Sequence, residues 1–427
     1  MRALSVGRGD APRVPVAGLA LAAVFAHASP AAAQPEVSER LRLQAGYIHL
    51  SNQTPPDDAP DDASIGVVPE VSLLVPWQRT KLRLTYALAA TTHTSFGTDV
   101  SNRLSAVSQF DLSNRSMLLV SGEANETSFT NELVARSAAG PPLAAVPTSN
   151  SKLVAVHLAT AATWEATPVL RAGAAVDGTF VEILNDTPVV NYLANVAFDL
   201  DRSWKNDILG LDVRGGYSHA HLPPTPDQQI FAFALAPQWK RDISDELTSS
   251  IRAGAALVVS PDSSTRALVA PSALASLLYI RDAANFELSA AVGPQSNAVT
   301  AQLLNAEQIS LRAVVPVSAR YHVVAGASAG ALHGEILNLR YDVPSQLPFN
   351  ALLASADVGW SPTETVQLFA RYQLLDQITS APPPTTTPAA LRNIMTIGVQ
   401  LTTQPSTLRI PVRFPQRVDR TDVAPPP

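Results

Sequence analysis

The chain has 427 residues, 46% hydrophobic and only 15% charged, with a net charge of −6 and no Cys. A soluble domain carries about a quarter charged residues, yet no apolar run beyond the N-terminus reaches the ~20 residues of a spanning helix. These figures exclude a helical membrane protein, disulfide frameworks, thiolate metal sites and cysteine nucleophiles, and they give no reason to expect nucleic acid as a partner.

The first segment reads as an address. Arg2, Arg8 and Arg13 make a basic opening, Val14 to Ala26 a short apolar core, and Ala31-Ala32-Ala33 a small-residue cleavage pattern. That order predicts a signal peptide over 1–33, cut near Ala33, and hence an exported protein.

From about residue 40 the dominant period is two, the mark of strands with unlike faces. Lys81 to Leu88 sets Leu82, Leu84, Tyr86 and Leu88 against Lys81, Arg83, Thr85 and Ala87. Thr365 to Leu374 sets Val366, Leu368, Ala370, Tyr372 and Leu374 against Thr365, Gln367, Phe369, Arg371 and Gln373. Each window is about eight to ten residues long, enough for a tilted strand to cross a bilayer. Strands are predicted near 40–50, 65–76, 80–92, 102–112, 116–126, 151–164, 168–181, 190–200, 206–219, 228–240, 246–259, 267–280, 284–294, 303–315, 320–332, 350–360, 364–375 and 391–402.

Connectors alternate too. Ser113-Asn114-Arg115, Glu165-Ala166-Thr167 and Arg281-Asp282-Ala283 are short and polar, whereas Ser51 to Ser64, Thr127 to Asn150 and Asp376 to Ala390 are long and rich in Pro, Ser, Thr and Asp. Short turns on one side and long loops on the other suit a transmembrane barrel. Trp77, Trp164, Trp204, Trp239 and Trp360 all fall at or beside short turns, which predicts an interfacial belt at that end. The expected fold is therefore all-β, a single up-and-down antiparallel transmembrane barrel of about 18 strands, with 16 to 20 as rough bounds. It occupies residues 34–402, and 403–427 is either a last strand, closed by Phe414, or a tail.

The pattern resembles that of Gram-negative outer-membrane β-barrel proteins. Ser101 to Ala106 and Phe110 to Arg115 are similar to hairpins in barrels associated with exopolysaccharide export. The resemblance implies residence in the cell outer membrane, among its lipid and lipopolysaccharide, and a passage for exported polysaccharide served by periplasmic export components. A general diffusion porin for small polar solutes is the alternative, and a closed structural or enzymatic barrel a third.

The polar phase of the strands is expected to face the lumen. It carries Arg83, Arg103, Arg171, Arg214, Arg252 and Arg371 together with Asp111, Asp177, Asp199, Asp212 and Asp357. Such charges either pair across neighbouring strands or set the selectivity of a pore. Small lumen-phase residues such as Ala232, Ala234, Gly254, Gly326 and Ser328 leave free cross-section. No catalytic residue, resident metal or cofactor is expected. Gly326 to Gly330 matches a nucleophile-elbow pattern but lacks the strand–turn–helix setting that motif needs. His219 and His221 share one strand face, and Asp57-Asp58 with Asp61-Asp62 reads as a solvated acidic loop.

Overall fold

The computed structural model describes residues 36–52, 61–76, 79–94, 97–128, 152–184, 189–221, 228–261, 267–297, 302–318, 322–337, 347–379 and 390–403. The expected signal peptide, Trp77, the pair Asp57-Asp58 and Phe414 lie outside these residues. The strands are β1 Glu36–Asn52, β2 Asp62–Pro76, β3 Thr80–His93, β4 Gly97–Ser113, β5 Ser116–Ser128, β6 Lys152–Thr167, β7 Leu170–Leu184, β8 Val189–Trp204 and β9 Asp207–His221. They continue with β10 Gln228–Asp242, β11 Leu247–Val259, β12 Ala267–Arg281, β13 Ala284–Asn297, β14 Gln302–Ser318, β15 Val323–Leu337, β16 Leu347–Trp360, β17 Val366–Thr379 and β18 Ala390–Thr402.

Every strand pairs antiparallel with its neighbours in sequence, and β1 also pairs with β18, from Arg40 opposite Thr402 to Asn52 opposite Ala390. The sheet is thus a closed 18-stranded up-and-down barrel with no free edge. Closure satisfies the backbone donors and acceptors that an open edge would leave bare in lipid.

The strands run longer than the alternating windows in the sequence, from 13 residues in β5 to 17 in β1. Backbone pairing needs no apolar side chain, so the ladder continues past the alternating stretch into polar residues such as Glu36, Asp62 and Thr98. Two-residue turns close one end, at Asn114-Arg115, Pro168-Val169, Lys205-Asn206 and Asp282-Ala283. Lys205 and Asp282 take φ of 54° and 50° there, the left-handed backbone that tight hairpins require.

The register assigns the faces. Residues directly opposite in a ladder share a side, so one alternation phase runs unbroken around the barrel. One phase exposes large apolar groups, among them Leu43, Ile65, Val176, Leu200, Leu235, Val269 and Ile397. The other, with Arg42, Gln44, Glu70, Arg103, Arg371 and Gln400, surrounds a common cavity shared by strands from both ends of the chain and is the lumen side.

The low aromatic content is concentrated on the outer face. Phe180, Tyr192 and His219 form one run near the long-loop end, with ring centres 5.2 and 6.0 Å apart in sequence, and Tyr217 packs against Phe231 in a tilted pair at 5.0 Å. Trp164, Trp204 and Trp360 are exposed at the short-turn end, where Trp239 Nε1 donates to Asp207 Oδ1 at 2.9 Å. Other outward rings, Tyr86, Phe198, Phe233 and Tyr372, stand nearer the middle of their strands.

Candidate functional site

The lumen wall is built by the same alternation that builds the outer face. In β1, Leu41 and Leu43 point out, so Arg40, Arg42 and Gln44 point in. The ladders carry that phase onward, through Glu70 in β2, Arg83 in β3, Arg103 and Asp111 in β4, and Arg171 and Asp177 in β7. It continues to Asp199 in β8, Asp212 and Arg214 in β9, Arg252 in β11, Asp357 in β16 and Arg371 in β17.

Arg40, Arg42, Arg103 and Arg371 line one cavity of about 470 Å³ against β1 to β5 and β16 to β18. Arg42 is the hub: Arg40, Arg103, Arg371 and Glu70 all lie within its electrostatic reach. Its guanidinium sits 5.5 Å from the centre of the Phe369 ring and donates to Gln400 Oε1 at 3.3 Å, a stacked and hydrogen-bonded seat suited to arginine. Carboxylates are interleaved with the cluster: Arg40 meets Glu70 at 3.2 Å and Arg103 meets Glu123 at 3.1 Å, while Asp99 and Asp357, the latter opposite Arg371 in the ladder, line the same cavity.

A second zone, on β7 to β9, gathers four aspartates, with Arg171 directly opposite Asp201 in the ladder. Asp177, Asp199, Asp201 and Asp212 share the lumen face, and Asp199 stands directly opposite Asp212 in the ladder. Like charges so placed repel. Asp212 is nevertheless buried, because Arg214 reaches it at 2.8 Å and Arg252, two strands away, at 3.4 Å. Asn195 Nδ2 donates to Asp177 at 2.9 Å, and Gln238 Nε2 donates to Asp201. Of the sequence-derived residues, the structure thus joins Asp212, Arg214 and Arg252, sets Asp357 opposite Arg371 and Arg171 opposite Asp201 in their ladders, and leaves Arg83 and Asp111 near the short-turn ends of β3 and β4.

Sequence reasoning passed over Arg40, Arg42, Glu70, Glu123 and Asp201. A signal was there: Arg40 and Arg42 alternate with Leu41 and Leu43, and Asp201 is in phase with Asp199. It also misread Asp61-Asp62. Asp62 is fully buried, with His93 Nδ1 at 2.5 Å and Thr94 Oγ1 at 3.1 Å. Asp61 accepts from the Tyr47 hydroxyl and from His49 Nδ1, each at 2.5 Å. These hydrogen bonds, Tyr47 first and His49 second, hold the Asp61 carboxyl below its ordinary value. The two aspartates are therefore rim ties between β1, β2 and β3 rather than a solvated acidic pair. The nucleophile-elbow match lies wholly inside β15, with no helix to aim a serine. Among the described residues no group of His, Asp and Glu has metal-binding geometry.

Neither a protein-family model nor a curated protein matches this sequence. The fold is similar to solved structures of Gram-negative outer-membrane β-barrels. The siderophore receptor PirA from Pseudomonas aeruginosa aligns at a TM-score of 0.45 and 9% identity, over 86% of this chain and 80% of that one. OccK2 (OpdF) from Pseudomonas aeruginosa, solved in complex with glucuronate, aligns at 0.45 and 10% identity, over 86% and 99%. OccAB3 from Acinetobacter baumannii aligns at 0.42 and 10% identity, over 86% and 99%.

Proposed function

We propose that this barrel sits in the outer membrane and passes small polar solutes by diffusion. The observation that carries the reading is the charged lumen wall of a closed 18-stranded barrel, where Arg40, Arg42, Arg103 and Arg371 stand among Glu70, Asp99 and Asp357, and Asp177, Asp199, Asp201 and Asp212 among Arg171, Arg214 and Arg252. A barrel of about 16 to 18 strands leaves an aqueous channel. Charges of both signs along that channel wall offer a small dipolar or charged solute a counter-charge for each of its ends. The outer face, apolar and carrying exposed Trp164, Trp204 and Trp360 at its short-turn end, fits residence in a bilayer.

The export of polysaccharide draws less support. A sliding sugar chain calls for stacking rings along its path, and the described rings stand mostly on the outer face, with Phe369 in the lumen held under Arg42.

Liposome swelling tests the reading. Purified barrel is expected to admit small polar solutes at rates that fall with solute size, and liposomes that stay impermeable overturn it. An unchanged surface polysaccharide in a deletion strain is the companion result expected.

A further inference from the structure

The outer wall is not uniform. Over β8 and β9 it is studded with Tyr192, Phe198, Leu200, Leu209 and Leu211, but over β11 to β15 it recedes. Ala253, Ala273, Ala275, Ala290 and Ala331 floor a furrow of about 710 Å³, bordered by Ile251, Ile309 and Leu352. Ladder partners show how it runs. Ala253, Ala273, Val292, Glu307, His333 and Asn350 follow one another across six strands, so the furrow crosses the sheet along a single hydrogen-bond row.

That row changes character along its length. Its first half is apolar. Its second half sets Glu307 beside His333, whose Nδ1 donates to Asn350 Oδ1 at 2.6 Å, with Asp376 at the same end. Asn350 and Asp376 stand just inside the long-loop ends of β16 and β17, whereas Ala253 lies midway along β11. The furrow therefore climbs from the hydrocarbon zone toward the rim. A carboxylate on a lipid-facing phase is costly unless a counter-charge meets it. The furrow's outer-face residues include no Lys or Arg.

We propose that this furrow binds one phospholipid bearing a primary ammonium, its acyl chain on the alanine floor and its ammonium on the Glu307 carboxylate. Alanine leaves the depth that a chain fills by van der Waals contact. The two carboxylates give the charge complementarity that selects an ammonium and disfavours an anionic head. This rests on the membrane reading of the outer face, and on nothing that crosses the lumen.

The test is native mass spectrometry of the full barrel released from detergent with added phosphatidylethanolamine or phosphatidylglycerol. One phosphatidylethanolamine is expected to stay bound, about fivefold more than phosphatidylglycerol. Glu307→Gln should bring the two lipids level, and Ala331→Leu, which fills the floor, should lower both. Equal retention of the two lipids by the wild type overturns the proposal, as does phosphatidylethanolamine retention untouched by both substitutions. A second copy of the chain retained in place of lipid also overturns it. Bilayer conductance of the same samples separates the outcomes: neither substitution lies in the lumen, so a conducting barrel without lipid preference sinks the lipid site alone.

Discussion

His93 Nδ1 lies 2.5 Å from Asp62 Oδ2, and the two side chains are 5% and 0% exposed. Thr94 completes the tie, donating to Asp62 through its hydroxyl and accepting from the Ala63 amide at 3.0 Å. A charge taken out of water survives only with such partners. Removing one partner strands the other. His93→Ala should therefore destabilise the barrel by about 3 to 5 kcal/mol, read as a fall in the urea midpoint of refolding. The double variant Asp62→Ala with His93→Ala should recover a large part of that loss, because no buried carboxylate then remains. A double variant as unstable as the sum of its parts would contradict the assignment.

Asp61, one residue earlier and half-exposed, behaves differently. Its carboxyl is held below the ordinary 3.8 by Tyr47 and then His49. A depressed folded value gives stability that is present above the unfolded value and lost as pH falls through the folded one. Amide exchange near Tyr47 and His49 should thus stay protected down to about pH 4 and open below it. In Asp61→Asn the same amides should exchange faster throughout neutral pH, with the acid-dependent step gone. Identical acid profiles in the two proteins would exclude the tie.

Gly254 marks the tightest approach in the wall. A Cβ there would fall 1.9 Å from the Leu235 carbonyl oxygen and 2.7 Å from Ala236 Cα, backbone that cannot step aside. At Gly178 the nearest neighbour would be the Leu193 oxygen at 3.7 Å, an ordinary contact. Gly254→Ala should cost about 1 to 3 kcal/mol as an overpacking change, while Gly178→Ala should stay within about 0.5 kcal/mol. Equilibrium unfolding of the pair decides, and equal effects would contradict the close approach of β10 and β11.

The wall was legible in the sequence because its cause is local. Alternation at Leu82, Leu84 and Tyr86 or at Met395, Ile397 and Val399 assigns a face to each residue without knowing any partner, and Ser113-Asn114-Arg115 and Arg281-Asp282-Ala283 mark where the chain reverses. Partnership is not local. Asp212 meets Arg252 only because β10 lies between their strands in a particular register, and Asp62 meets His93 across the long-loop end of β2 and β3. One residue of slip would send every one of these side chains to the other face. The clustering of Arg42 with Arg371 needs closure of β1 onto β18, which joins the two ends of the sheet. The alanine furrow was hidden for the same reason, since its floor is drawn from separate strands and no single window of sequence shows it.

The central claim is that opposed lumen charges govern what passes. Its most direct test is the reversal potential of single barrels in a planar bilayer under a potassium chloride gradient. Changing Arg40, Arg42, Arg103 and Arg371 to Gln should shift the potential toward cation preference, and changing Asp177, Asp199, Asp201 and Asp212 to Asn should shift it toward anion preference. Each shift should shrink as salt rises, because screening shortens the reach of the wall. A barrel that folds but does not conduct, or reversal potentials unmoved by both sets, would contradict the account.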